Sequence, residues 1–207
     1  MNKSIVVGLA LIPVISFAQV ANPSTQEAAP PAKGSEPAAT PAAGSAAANP
    51  LLEKNRLAAR RRAAEDRKRY SAPELQEIET LYQVANSKGK RSEEGQASLK
   101  QLLEKYGKAN RTGCALLYLG QASTGEQRME YLTKAVDQFS DCYYLDGCQV
   151  GGYGRYVLAL TLWEKGEKEK AKAMFAEIKT AYKEATDHRG RPMPEVADAA
   201  EKELAKR

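Results

Sequence analysis

Histidine occurs once in the 207 residues, tryptophan once and cysteine three times. A lone imidazole excludes histidine-rich metal sites. His188, in Asp187-His-Arg-Gly190, has no partners at the spacing of a zinc site or a Ser–His pair, so it reads as a surface or capping residue. No His-Glu-x-x-His, Gly-x-Ser-x-Gly or phosphate-loop run is present. Gly151-Gly-Tyr-Gly154 is glycine-rich, but Val157 stands where a third glycine belongs and no strand pattern precedes it. It reads as a linker. Acidic residues interleave with lysines, as in Glu164–Lys170, which gives a solvated helix face rather than a general acid–base pair. The expectation is a protein without catalytic residues, metal or cofactor.

Long apolar runs are also missing. The one apolar stretch, Ile5–Ile15, is too short to cross roughly 30 Å of hydrocarbon as a helix. It follows basic Lys3 and precedes Ser16-Phe17-Ala18, the order of a secretory signal cleaved after Ala18. No cysteine follows that run until Cys114, which argues against a lipid anchor at the cut. Residues 19–50 are mostly Ala, Pro, Ser, Thr and Gly, with almost nothing large to bury. They are expected to form a disordered spacer.

What remains is rich in Leu, Ala, Tyr, Glu, Lys and Arg and poor in β-branched residues, which favours helix over sheet. Asn49-Pro50 supplies a cap and a first helical residue. The basic helix 51–70 that follows carries eight basic against three acidic side chains. That is the whole formal charge of +5, and the rest of the mature chain sums to −1. Arg56, Arg60, Arg61, Arg62, Arg67, Lys68 and Arg69 form its cationic stripe. The stripe reads either as a contact with an anionic surface or polymer, lipid or wall polymer, or as a solvated helix with charged flanks. No aromatic interleaves with the arginines before Tyr70, which argues against nucleic acid.

Seven further helices are expected in 71–207. Ser71 and Glu74 form a capping box, and Leu75, Ile78, Leu81, Tyr82 and Ala85 recur at helical spacing. Later helices are expected near 92–106, 112–122, 126–140, 153–165, 168–185 and 193–206. Taken in twos they begin near 72, 112 and 152, a period near 40 residues, which suggests stacked antiparallel pairs.

Leu158-Ala159, Leu162, Gly166, Ala171, Phe175 and Ile178 resemble the tetratricopeptide-repeat pattern. The match is best over 155–180. It is partial over 112–140, where Leu119-Gly120 repeats the Leu-small pair, and holds only in outline over 72–106. Envelope proteins of bacteria that pair an export signal with such repeats are similar. The resemblance implies an all-α solenoid of about three helix pairs closed by a C-terminal capping helix, located in the periplasm or secreted. It implies a protein–protein interaction or scaffold module of the cell envelope, whose partner is another envelope protein or a peptide segment. Carried over from Leu158, the partner groove would be lined by Tyr153, Tyr156, Leu160 and Trp163, and one unit earlier by Leu117 and Gln121. The same aromatics equally suit helix–helix packing.

Cys142 and Cys148 flank the five-residue loop Tyr143–Gly147. In an exported chain that loop can bring the two Cβ atoms together as a disulfide, or all three cysteines can be small buried apolar residues.

Overall fold

The computed structural model describes residues 49–206. The expected export signal and all but the last two residues of the expected spacer lie outside them. The described residues form one compact unit. Within the described residues the fold is all-α. It has eight helices and no strand: α1 (Pro50–Arg69), α2 (Ala72–Lys88), α3 (Glu93–Lys105), α4 (Asn110–Ala122), α5 (Gly125–Gln138), α6 (Val150–Glu164), α7 (Lys168–Ala181) and α8 (Met193–Leu204).

Local chemistry explains most of the boundaries. Asn49 Oδ1 accepts the Leu51 and Leu52 amides at 3.1 and 3.3 Å, and Pro50 needs no partner for a missing N–H. The Ser71 amide donates to the Glu74 carboxylate at 2.7 Å. The Ser71 hydroxyl donates to the same carboxylate at 2.7 Å, and these two bonds hold the Glu74 carboxyl below its usual range. Ser92 Oγ accepts the Gly95 amide at 3.0 Å. Gly166 closes α6 with φ at 81°, a conformation that costs other residues a Cβ clash, while the Gly166 and Glu167 amides donate back to Trp163 and Leu162.

Each helix packs on its chain neighbours, most extensively α2 on α3, α4 on α5 and α6 on α7. The even-numbered helices also touch in turn, α2 to α4, α4 to α6 and α6 to α8. The core between them holds Leu99, Leu102, Leu116, Leu119, Leu132, Phe175, Ile178 and Met193, all fully buried. Leu158, Ala159, Leu162, Ala171, Phe175 and Ile178, which carry the repeat spacing, are buried without exception. Gly120 lets α4 approach α5: a Cβ there would sit 2.6 Å from Leu132 Cδ2.

Gly151 and Gly152 are a correction to the sequence reading. They are not a linker but the first turn of α6. A Cβ on Gly151 would lie 2.5 Å from the Tyr182 ring and 2.7 Å from the Ser140 carbonyl oxygen, and one on Gly152 would lie 2.7 Å from Ala185 Cβ. These glycines are there for close approach between helix ends, and α6 therefore starts three residues before the expected Tyr153.

Three turns lead into α4, α6 and α8, and they repeat one another. The Ala109, Cys142 and Ala185 amides donate to Tyr106, Phe139 and Tyr182 at 2.9, 3.0 and 2.9 Å. After the second and third turns comes a short hairpin built on an isolated antiparallel bridge, Tyr143 with Gln149 and Thr186 with Pro192. Its bonds match pair by pair: Tyr144 to Cys148 and Val150 to Cys142 in one, Asp187 to Arg191 and Met193 to Ala185 in the other. Gly147 and Gly190 turn both hairpins at φ of 97° and 79°.

Helix α1 runs across all three turns. Asn49 Nδ2 donates to the Gly190 carbonyl at 2.9 Å, and Asn55 Nδ2 donates to Glu184 O at 2.8 Å and Thr186 Oγ1 at 3.3 Å. In its middle the backbone at Arg56 lies 3.0 Å from where a Cβ on Gly147 would be. Near its end, Arg62 and Arg69 both donate to the Lys108 carbonyl, at 3.3 and 2.8 Å. Asp66 Oδ2 accepts the Asn110 amide at 2.8 Å. Twenty helical residues span about 30 Å, enough to reach from the last turn to the first.

Candidate interaction surface

Rings from five parts of the chain meet in one ladder. Tyr82 of α2 stacks on Tyr118 of α4, with centroids 5.3 Å apart and planes 21° apart. Tyr118 meets Tyr144 of the first hairpin at 5.9 Å. His188 of the second hairpin meets Tyr144 and Tyr153 edge-on, at 4.6 and 4.8 Å. Tyr153 stacks on Tyr156 along α6 at 6.3 Å. Such contacts favour offset and edge-to-face geometry because the ring face is negative and its edge positive.

The two ends of the ladder differ. Tyr82 and Tyr144 are buried, while Tyr118, Tyr153 and Tyr156 are half-buried and His188 is exposed. At the Tyr82 end the Arg111 guanidinium lies 4.3 Å from the ring centroid and binds Glu79 through two bonds of 2.8 and 2.9 Å. His188 Nδ1 pairs with Asp146 Oδ2 at 2.8 Å and joins the two hairpins. Burial alone would raise the Asp146 carboxyl. The bond and charge of His188, the Cys148 amide and Arg56 outweigh it and hold the carboxyl below its usual range. Burial pushes the Tyr153 and Tyr156 phenols up, so both stay protonated at neutral pH.

Of the six expected groove residues, four form one half-buried stripe on α6: Tyr153, Tyr156, Leu160 and Trp163, at i, i+3, i+7 and i+10. Trp163 lies outside the ladder, with Lys168 Nζ 5.2 Å over its ring. Gln121 is half-buried and accepts a bond from Lys90. Leu117 is a correction: it is fully buried. Its Cδ2 lies 3.1 Å from where a Cβ on Gly154 would be, so the close approach of α4 and α6 at that glycine takes Leu117 into the core. The neighbouring Tyr118 reaches the surface instead.

The cationic stripe of α1 divides by helical phase. Arg62 faces the body of the protein, bound to Asp66 at 3.0 Å, with its side chain only 16% exposed. Arg69 is tied to Lys108, Arg56 pairs with Glu53 and Lys68 pairs with Glu65. Arg60, Arg61 and Arg67 are exposed and have no hydrogen-bond or ion-pair partner among the described residues.

No disulfide joins Cys142 and Cys148; all three cysteines are buried free thiols. The main chain closes this loop itself, through the Val150-to-Cys142 bond and the Tyr143–Gln149 bridge. Cys142 Sγ turns toward the Arg62 guanidinium at 3.9 Å, and Cys114 Sγ donates to Tyr143 O at 3.5 Å. Burial pushes Cys142 up to about 12 against the opposing pull of Arg62, and it raises Cys114 and Cys148 as well. The native protein is therefore expected to resist thiol reagents and to release three reactive thiols on unfolding. A non-reduced digest that yields a peptide cross-linked through Cys142 and Cys148 would contradict this.

Sequence reading did not single out Arg111, Arg155 or Asp66. Each is a buried charged residue with a partner on another element, so only the packed structure marks it. Among the described residues no group of His, Cys, Asp and Glu is placed to hold a metal ion, and no helix is long and apolar enough to cross a membrane. No protein-family model, curated protein or solved structure matches the chain.

Proposed function

We propose that this protein is a non-enzymatic interaction module of the bacterial cell envelope, a tetratricopeptide-like solenoid of three antiparallel helix pairs, α2–α3, α4–α5 and α6–α7, with α8 as the cap. In this reading the N-terminal signal exports it, and the even-numbered helices line a groove for a segment of another envelope protein. The observation that carries the reading is the stripe on α6. Four large apolar side chains share one helix face and remain half-buried after every neighbouring helix has packed. A helix serving only its own core would bury them. Tyr and Trp are the side chains that anchor interfaces, since each offers a large rigid surface with a polar tip. The ladder behind Tyr153 fixes the inner end of the stripe, so little order has to be created on binding.

Partners captured from envelope extract by the mature protein supply the ligand for the test. Tyr156→Ala is expected to weaken binding of such a partner by about 2 kcal/mol, near thirtyfold in Kd, with the melting midpoint almost unchanged. Leu158→Ala, in the core, is expected to cost about 2–5 kcal/mol of stability. If Tyr156→Ala melts the protein as severely as Leu158→Ala, the stripe is core and the groove reading fails.

A further inference from the structure

The outer face of α1 is a separate surface, with a charge the rest of the folded chain lacks. Residues 71–207 carry 21 basic and 21 acidic side chains, so they are neutral, while 51–70 carries a net +5. The inner face of α1 is consumed by Leu52, Asn55, Ala59, Arg62 and Asp66, which are turned toward the three turns. At 3.6 residues per turn, Leu57, Arg60, Arg61, Arg67 and Lys68 fall within an outward arc of about 120°. Three of these five, Arg60, Arg61 and Arg67, have no partner among the described residues, and Lys68 has only a surface pair with Glu65, of a kind that yields readily to a stronger anionic field. Leu57 stands among them 48% exposed, one of two large apolar side chains left in solvent among the described residues.

We infer that α1 docks this protein on an anionic phospholipid surface. A helix fastened along one side presents these cations on a ridge of about 17 Å from Leu57 to Lys68, which can lie flat on a charged sheet. Leu57 enters the headgroup boundary where the arginines meet phosphate. A nucleic acid would need ring faces for its bases, and the aromatic nearest the stripe, Tyr70, is packed edge-on against Tyr106 at 5.6 Å. This surface stands apart from the α6 stripe, so a protein partner and a membrane could be held at once.

Co-sedimentation of the full chain with vesicles of phosphatidylcholine, alone or mixed with phosphatidylglycerol, tests this. Binding to the neutral vesicles reports the apolar segment 5–15 and serves as the baseline. Above it, binding to the mixed vesicles is expected to fall steeply with added salt. The triple variant Arg60→Ala, Arg61→Ala, Arg67→Ala is expected to lose roughly a hundredfold in affinity, about fivefold for each charge. The corresponding triple Lys variant is expected to stay within a few-fold of the wild type, because the attraction depends on charge rather than guanidinium geometry. Tyr156→Ala is expected to leave vesicle binding unchanged, which separates failure here from failure of the groove. Circular dichroism verifies that the variants fold. Undiminished vesicle binding by the triple Ala variant would overturn the inference. So would a wild type that binds heparin but ignores the mixed vesicles, since α1 would then serve a soluble polyanion.

Discussion

Arg155→Ala is expected to lower stability by about 3 kcal/mol, on the order of 10 °C in melting midpoint for a chain of this size. Arg155 sits on α6 but serves four elements. Its Nη1 donates to the carbonyls of Val136 and Gly151, both at 3.2 Å, and to Ser140 Oγ at 3.1 Å. Its guanidinium lies 4.5 Å from the Tyr182 ring centroid, and its Nε is 2.7 Å from Glu177 Oε1, out of line for a hydrogen bond but close enough for charge attraction. Truncation removes charge-assisted bonds and a ring contact and opens a void between α5, α6 and α7. Val136 O keeps Ser140 Oγ as a donor, so the cost comes from lost contacts rather than an orphaned acceptor. Arg155→Met keeps the aliphatic stem and is expected to cost about half as much. Denaturant unfolding of both variants is the measurement. A loss under about 1 kcal/mol for Arg155→Ala would mean that the guanidinium is solvated and the staple absent.

The second large effect is expected at Asp66. Helix α4 has Ala109 at its N-cap, with no side chain to receive its first amides. Asp66, 44 positions back on α1, takes the Asn110 amide with one oxygen and Arg62 with the other. Asp66→Ala removes a cap worth about 1 kcal/mol and leaves a largely buried guanidinium without its main partner. Asp141, 3.4 Å from Arg62 but mostly exposed, compensates in part. The net loss is expected to be about 2–4 kcal/mol. The change should also be local: trypsin should cleave α1 at its exposed arginines, and amide exchange should quicken at the start of α4, while α6 and α7 keep their protection. Asp66→Asn, which keeps an acceptor but loses the charge, should fall between. If α1 of Asp66→Ala is as resistant to trypsin as the wild type, Asp66 does not hold α1 to the turns.

Helix existence was legible because it rests on local rules. The caps at Asn49 and Ser71, the turn at Gly166 and the apolar periods of α2 and α7 all depend on residues within a turn or two of one another. The start of α4 was misread at Thr112 because its cap comes from another helix. Gly151-Gly152 looked like a linker because glycine is a poor helix former. Its reason for being there, contact with Tyr182 and Ser140, lies 31 and 11 residues away in the chain. The repeated hairpins escaped because their likeness lies in main-chain bonds: Cys142 answers Ala185 and Val150 answers Met193, with only Gly147 and Gly190 identical.

The candidate surface divides in the same way. Helical spacing alone was enough to put Tyr153, Tyr156, Leu160 and Trp163 on one face, since a rigid helix fixes that geometry. Spacing could not say that Leu117 is sealed by the contact at Gly154, that His188 completes the ring ladder, or that Arg62 faces inward while Arg61 faces out. The sequence by itself determined the all-α class, most of the helix ends and the concentration of charge in 51–70, because these follow from composition and near-neighbour hydrogen bonding. Only the tertiary structure decided which polar residues are buried, which glycines permit contact and how α1 fastens the three turns, because each depends on groups tens of residues apart that meet only when the helices pack.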